Sequence, residues 1–291
     1  MSTGEIGLAR SWISRYAVIE GKRTHYLEAG RGDPLILLHS GEFGACAEFT
    51  WEFNIDALAE HFHVFAPDWL GYGKSEKLFS FESMWELRTQ HIAALVRHLG
   101  IDSAHFIGSS MGGTALAGVA ALDDGRWPIR RAVLVSGGGF VPENGPRSVL
   151  TDYDGSLNHM RRIYQVLFRN PAVRDNEAMI LRHHRASLEP GAWECTAAPR
   201  FKAPVRPKKP FAPAPPDYSR VSVPVLIMAG RDDNLREPNY GEQLRQQIPG
   251  SQLVTLDGGH CHQIDLPEIF NKLVLDYLLS KAQPYELNNN P

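Results

Sequence analysis

Ser110 stands within Gly108-Ser109-Ser110-Met111-Gly112-Gly113, after a short β-prone run and before the alanine-rich stretch 115–122. Gly-x-Ser-x-Gly at a strand–turn–helix junction is the nucleophile-elbow pattern. Such a turn is sharp, so its neighbours must lack bulk, and Gly108 and Gly112 meet that need. The turn lifts the serine hydroxyl out at the carboxyl end of a sheet, where a helix N-terminus favours developing negative charge. A serine hydroxyl is a weak nucleophile and needs a base, which in turn needs an acid to orient it. Gly230-Arg231-Asp232-Asp233 follows the apolar run 225–228, and Gly258-Gly259-His260 follows the run 253–256. Both segments are expected past the carboxyl ends of sheet strands, on the rim that carries Ser110. His260 is therefore expected as general base and acid, and Asp233 as the carboxylate that fixes its tautomer. Asp232 is the register alternative. The transition state also needs oxyanion donors: the backbone N–H of Met111 and that of Gly41, in the loop His39-Ser40-Gly41-Glu42-Phe43-Gly44.

These residues require a scaffold that brings strand ends together. β-prone runs recur at 16–19, 24–28, 35–38, 64–66, 105–107, 132–135, 225–228 and 253–256, with helical spacing at 54–61, 83–99, 112–122 and 240–247. Several runs are continuously apolar, as parallel strands buried on both faces must be. Alternation of strand and helix predicts an α/β fold with a mostly parallel central sheet. The first two runs, joined by Gly21-Lys22, predict an antiparallel edge hairpin. The rhythm breaks between 139 and 218, first in helical patterns at 157–168 and 176–185, then in seven prolines from Pro199 to Pro216. That density of proline cannot join a central sheet. The expected organisation is a core at 1–138 and 221–291 with a helical cap, 139–220, inserted after the sixth strand.

Composition narrows the classes. The 291 residues are 43% hydrophobic and 22% charged, with a formal net charge of −3, an ordinary globular balance. That balance gives no reason to expect a nucleic-acid partner or a polybasic membrane contact, and no apolar run reaches the roughly 20 residues of a membrane helix. Cys46, Cys195 and Cys261 are an odd, scattered set. They suggest no disulfide framework and favour a reducing, cytoplasmic setting. His61, His63, His183, His184 and His262 read as surface or pocket residues, and no third ligand accompanies them, so no metal is expected. From 159 to 210 there are 11 Lys/Arg against 4 Asp/Glu, while the rest of the chain has 19 against 29. A basic cap on an acidic core is either a solvated face or a set of cations turned toward an anionic substrate.

Both core halves resemble the α/β-hydrolase superfamily, and so does Ala66-Pro67-Asp68-Trp69-Leu70-Gly71-Tyr72-Gly73-Lys74-Ser75. Within it the chain is most similar to the meta-cleavage product hydrolases, through the His39 loop, the Ser110 elbow and the tail Glu268-Ile269-Phe270-Asn271-Lys272-Leu273-Val274. Leu181-Arg182, followed by Ala186-Ser187 and Pro190-Gly191, is similar to the family segment that carries a substrate-binding arginine. The resemblance thus implies Arg182 as the partner of a substrate carboxylate or dienol oxygen, a task suited to a planar guanidinium fork. Ser109, Cys261 and Ser40 stand at positions where the family often has Asn, Trp and Gly. They are the remaining substrate-binding candidates.

The implied activity is cofactor-independent, serine-dependent hydrolysis of a C–C bond in a small anionic 2-hydroxy-6-oxo-dienoate. A carboxylesterase or lactonase keeps the triad and changes the substrate. A non-catalytic ligand receptor on the same scaffold is the other alternative. The oligomeric state stays open, with a homodimer as the candidate assembly.

Overall fold

The computed structural model describes residues 10–201 and 216–280. Most of the proline-dense stretch, and with it Lys202, Arg206, Lys208 and Lys209 of the basic run, lies outside the described residues. Eight strands form one sheet: β1 (Ile13–Ile19), β2 (Lys22–Ala29), β3 (Asp33–Leu38), β4 (Phe62–Pro67), β5 (Ala104–Ser109), β6 (Ile129–Val135), β7 (Val225–Gly230) and β8 (Gln252–Leu256). Their spatial order is β1-β2-β4-β3-β5-β6-β7-β8. β1 and β2 form the antiparallel hairpin expected at one edge, and β2 meets β4 antiparallel. Every pairing from β4 to β8 is parallel.

The central strands are apolar throughout because both faces are covered. Side chains alternate across a strand. In β3, Leu35 and Leu37 belong to one buried cluster, while Ile36 and Leu38 belong to the other. The first face packs on the helices Ala47–Trp51, Ile55–Ala59 and Pro267–Leu279. The second face packs on Met84–His98 and Met111–Leu122. Truncating one such residue to alanine costs about 2–5 kcal/mol in a core of this kind. Ser83 starts the long helix by accepting the Glu86 N–H at 3.1 Å, an N-cap that satisfies one orphan donor. Pro267 opens the last helix, which buries Phe270, Val274, Tyr277 and Leu278 at helical spacing. This helix is not among the helical stretches expected from spacing.

Between β6 and β7 the chain leaves the sheet for the helices Gly145–Thr151, Leu157–Leu167, Pro171–Arg174, Glu177–Ser187 and Ala192–Ala197. This helical region sits over the carboxyl ends of the strands. A third apolar cluster joins it to the core, with Met160, Ile163, Tyr164 and Leu167 packed on Phe43, Phe49 and Ile264.

Candidate active site

Ser110 joins β5 to the helix Met111–Leu122 with φ 51° and ψ −108°. That positive φ is unfavourable for a side chain with Cβ, so the surroundings must impose it. They do so by backbone packing that admits no bulk. A Cβ on Gly108 would lie 2.5 Å from the Gly112 carbonyl group, and one on Gly112 would lie 2.3 Å from the Leu38 carbonyl oxygen. The Ser110 N–H donates to the Val135 carbonyl at 2.8 Å, and Thr114 holds the Ser110 carbonyl through its N–H and hydroxyl.

Three side chains from three strand ends converge. His260 Nε2 lies 2.8 Å from Ser110 Oγ. His260 Nδ1 lies 2.9 and 2.8 Å from the two carboxylate oxygens of Asp233. Asp233 also accepts the Leu235 N–H at 3.0 Å. Burial alone would push its carboxyl up, but His260, Arg236 and the Leu235 N–H together hold it below the ordinary carboxylate range. Asp232 turns outward and pairs with Arg169, so the geometry selects Asp233 as the partner of His260.

The loop after β3 is fixed from below. His39 is fully buried; its Nδ1 donates to the Ser40 carbonyl at 2.6 Å and its Nε2 accepts the Trp69 N–H at 3.0 Å. Burial lowers its pKa to about 4, so the ring is neutral and keeps both roles. Gly41 is pressed against the elbow: a Cβ there would lie 2.9 Å from the Met111 Cβ. The Tyr72 hydroxyl donates to the Gly41 carbonyl at 2.8 Å. Gly41 and Met111 thus sit side by side on the wall of one cavity that also exposes Ser110 and His260.

That cavity is about 480 Å³. Trp69, Tyr72 and Trp85 line part of it, and four arginines reach its wall: Arg88, Arg147, Arg200 and Arg236. Among the described residues, none of the four has a carboxylate oxygen within 4.0 Å. Arg126, Arg161 and Arg245 each hold one elsewhere on the protein. Arg236 is held by the carbonyls of Ser136, Gly138 and Phe140, and Arg200 by that of Tyr153. Arg88 donates to the Leu70 carbonyl at 3.1 Å and lies over the Tyr72 ring, 4.9 Å from its centroid. Burial pulls its guanidinium below the usual value.

The residues implied by the resemblance for substrate binding are placed elsewhere. Arg182 grips Glu52 with both terminal nitrogens and lines a different cavity, of about 700 Å³. Ser109 is fully buried in β5 and accepts from the Gln263 amide at 3.1 Å. Cys261 is buried in the cluster that joins cap and core. Ser40 is buried and donates to Glu42 at 3.0 Å. None of the four reaches the wall that exposes Ser110. Each fails to do so for a packing reason that motif spacing does not reveal.

Sequence reasoning also passed over Asp265. Its Oδ2 accepts the N–H groups of Gly259 and Arg169, both at 2.9 Å, and its Oδ1 accepts that of Asn170 at 3.1 Å. One buried carboxylate therefore ties the turn before His260 to the cap. Among the described residues, no group of three or more His, Cys, Asp or Glu is arranged to hold a metal. No helix among them is long and apolar enough to cross a membrane.

Comparison with known proteins agrees with this geometry. Residues 35–273 match the model of the Alpha/beta hydrolase family. The chain is 30% identical over 275 residues to 2-hydroxy-6-oxo-2,4-heptadienoate hydrolase of Pseudomonas putida, covering 92% of this chain and 97% of the relative. It is 28% identical to 2-hydroxy-6-oxo-6-(2'-aminophenyl)hexa-2,4-dienoic acid hydrolase of Metapseudomonas resinovorans, over 94% of this chain and 93% of the relative. Among solved structures, a serine hydrolase involved in carbazole degradation superposes with a TM-score of 0.77 at 26% identity, covering 92% of this chain and 98% of that one. With its eight-stranded sheet and a helical region inserted after β6, the chain belongs to the alpha/beta hydrolase family and is closely related to the meta-cleavage product hydrolases.

Proposed function

We propose that this hydrolase cleaves a C–C bond in a 2-hydroxy-6-oxo-dienoate, with Ser110 as nucleophile, His260 as general base and acid, and Asp233 as the carboxylate that orients His260. The dienol first becomes a ketone. Ser110, deprotonated by His260, then attacks the C6 carbonyl, and the N–H groups of Met111 and Gly41 receive the oxyanion. Collapse breaks the C5–C6 bond and expels a carbon leaving group whose electrons delocalise into the 2-oxo group. Water, activated by His260, releases the acyl group from Ser110.

The observation that carries this reading is the Ser110–His260–Asp233 array opening onto a cavity with four arginines that, among the described residues, have no carboxylate oxygen within 4.0 Å. Arginines that line a cavity without a direct ion pair suit it to an anionic ligand. The substrate carboxylate is accordingly assigned to these arginines, of which Arg236 is buried and Arg88 half-buried, and not to Arg182. The relatives named above act on dienoates by their names, which supports the same class of substrate for this chain.

The experiment is product analysis after turnover of 2-hydroxy-6-oxo-2,4-heptadienoate, run beside a neutral p-nitrophenyl ester. Release of acetate and 2-hydroxypenta-2,4-dienoate is the expected result. Ester hydrolysis with an inert dienoate would place the protein among the esterases.

A further inference from the structure

Glu42 is the one carboxyl on the wall of the catalytic cavity among the described residues, and the mechanism above leaves it unused. It follows the Gly41 turn, is only 7% exposed, and accepts the Ser40 hydroxyl at 3.0 Å on Oε1. Ser40 in turn meets the Thr50 hydroxyl at 3.1 Å, which fixes the direction of the carboxyl. Among the described residues, no Lys, Arg or His nitrogen lies within 4.0 Å of it. The titratable groups that sense its charge are His260, Tyr72, Tyr164 and Cys261, none of them a fixed cation.

A carboxyl buried without a counter-cation favours its neutral, protonated form. Burial indeed pushes Glu42 up from its ordinary value, and only the Ser40 and backbone hydrogen bonds and His260 oppose this. With Oε1 occupied as an acceptor, Oε2 is the oxygen open to a proton. A carboxyl whose protonated form burial favours thus shares a cavity wall with the base of the triad, where the reacting carbon chain must lie.

We propose that Glu42 is the general acid of the ketonisation that precedes C–C cleavage, giving its carboxyl proton to C5 of the dienol while His260 takes the proton of the 2-hydroxyl. The inference rests on the dienoate reading above. The O–H electron pair becomes the C2=O π bond, the C2=C3 pair moves to C3=C4, and the C4=C5 pair takes the Glu42 proton at C5. The step leaves a Glu42 carboxylate beside a His260 imidazolium. Return of the imidazolium proton to Glu42 restores a neutral His260, the form that must next deprotonate Ser110. No external acid, oxidant or reductant is consumed, and the substrate has changed only by tautomerisation.

The test follows loss of the dienol absorbance of 2-hydroxy-6-oxo-2,4-heptadienoate in single turnover, with p-nitrophenyl ester hydrolysis in parallel. The ester needs the triad but no ketonisation. Glu42→Gln keeps the shape and the acceptor for Ser40 but has no acidic proton. Expected is at least a 30-fold slower dienol loss in E42Q, with ester hydrolysis reduced no more than about threefold. The fall in the wild-type ketonisation rate as pH rises through the ionisation of Glu42 should vanish in E42Q. Glu42→Asp, which retains an acid, should recover part of the rate. Dienol loss at the wild-type rate in E42Q overturns the proposal, as does an equal loss of both activities that E42D does not selectively restore. A wild-type enzyme that leaves the dienoate untouched fails the functional reading itself, a different result from an active enzyme indifferent to E42Q.

Discussion

Arg182 gives both terminal guanidinium nitrogens to the Glu52 carboxylate, an ion pair between residues 130 positions apart that fastens the cap helix Glu177–Ser187 to the end of the helix Ala47–Trp51. A fork engaged in this way has both terminal nitrogens committed to Glu52. Arg182→Ala is expected to leave KM for a dienoate within about twofold and to lower stability by about 1 kcal/mol, the scale of a partly exposed pair. Steady-state kinetics and urea unfolding measure the two. A tenfold rise in KM would return Arg182 to the substrate.

Arg88 is the contrasting case. Its guanidinium lies on the cavity wall, 3.3 Å from the Met111 sulfur, with no carboxylate oxygen within 4.0 Å among the described residues. Arg88→Met, similar in length and apolar, should raise KM for the dienoate about tenfold or more, the range of one charge-assisted hydrogen bond. KM for a neutral ester should hardly move. Equal effects on both substrates would mean that the residue only supports Tyr72.

Asp265 makes a different prediction, because it acts on His260 through the backbone. Asp265→Ala orphans the N–H groups of Gly259, Arg169 and Asn170, and should cost about 2–4 kcal/mol in urea unfolding. Dienoate and ester turnover should fall together, since both depend on the placement of His260. Loss confined to the dienoate would place Asp265 in substrate binding instead.

Acid should weaken the fold before it titrates the carboxylates. His39 is neutral with its pKa lowered to about 4, and His91 and His262 are likewise lowered to about 4 by burial. Below the unfolded histidine value of about 6.5, the unfolded chain binds protons that the native state refuses. Stability is therefore full above that value and falls toward pH 4, by about 3 kcal/mol for His39 alone. Protonating His39 Nε2 also removes the acceptor of the Trp69 N–H. Asp233, whose carboxyl is lowered, adds a loss only at more acid pH. The urea midpoint should drop clearly between pH 7 and pH 5, and an unchanged midpoint would mean that these rings protonate in the native state without cost.

Much of this molecule can be read from its residues because the decisive signals are local. The strand before Ser110 and the small residues around it specify the elbow, and the apolar runs before Asp233 and His260 place both at strand ends. All eight expected strands are present, as is the helical region after β6. What the sequence hid is where long side chains point. Arg182 and Arg88 both lie on helices beside apolar neighbours, and only the packing of Glu52 against one and of Tyr72 and Met111 against the other separates them. The same holds for Ser109 and Cys261, which flank Ser110 and His260 in sequence while packing away from the cavity. Glu42 lies within the His39–Gly44 loop, but that no cation lies within 4.0 Å of it among the described residues is a property of the surroundings.

The most direct test of the central claim is a single-turnover comparison of wild type and Ser110→Ala on 2-hydroxy-6-oxo-2,4-heptadienoate, following the dienol chromophore and the release of acetate. The account predicts that both enzymes bind and ketonise the dienol, and that only the wild type releases acetate, with the variant slowed at least 10³-fold, on the order seen when a nucleophile is removed. Acetate release by Ser110→Ala at a rate near wild type would contradict it, because the bond would then be broken without Ser110.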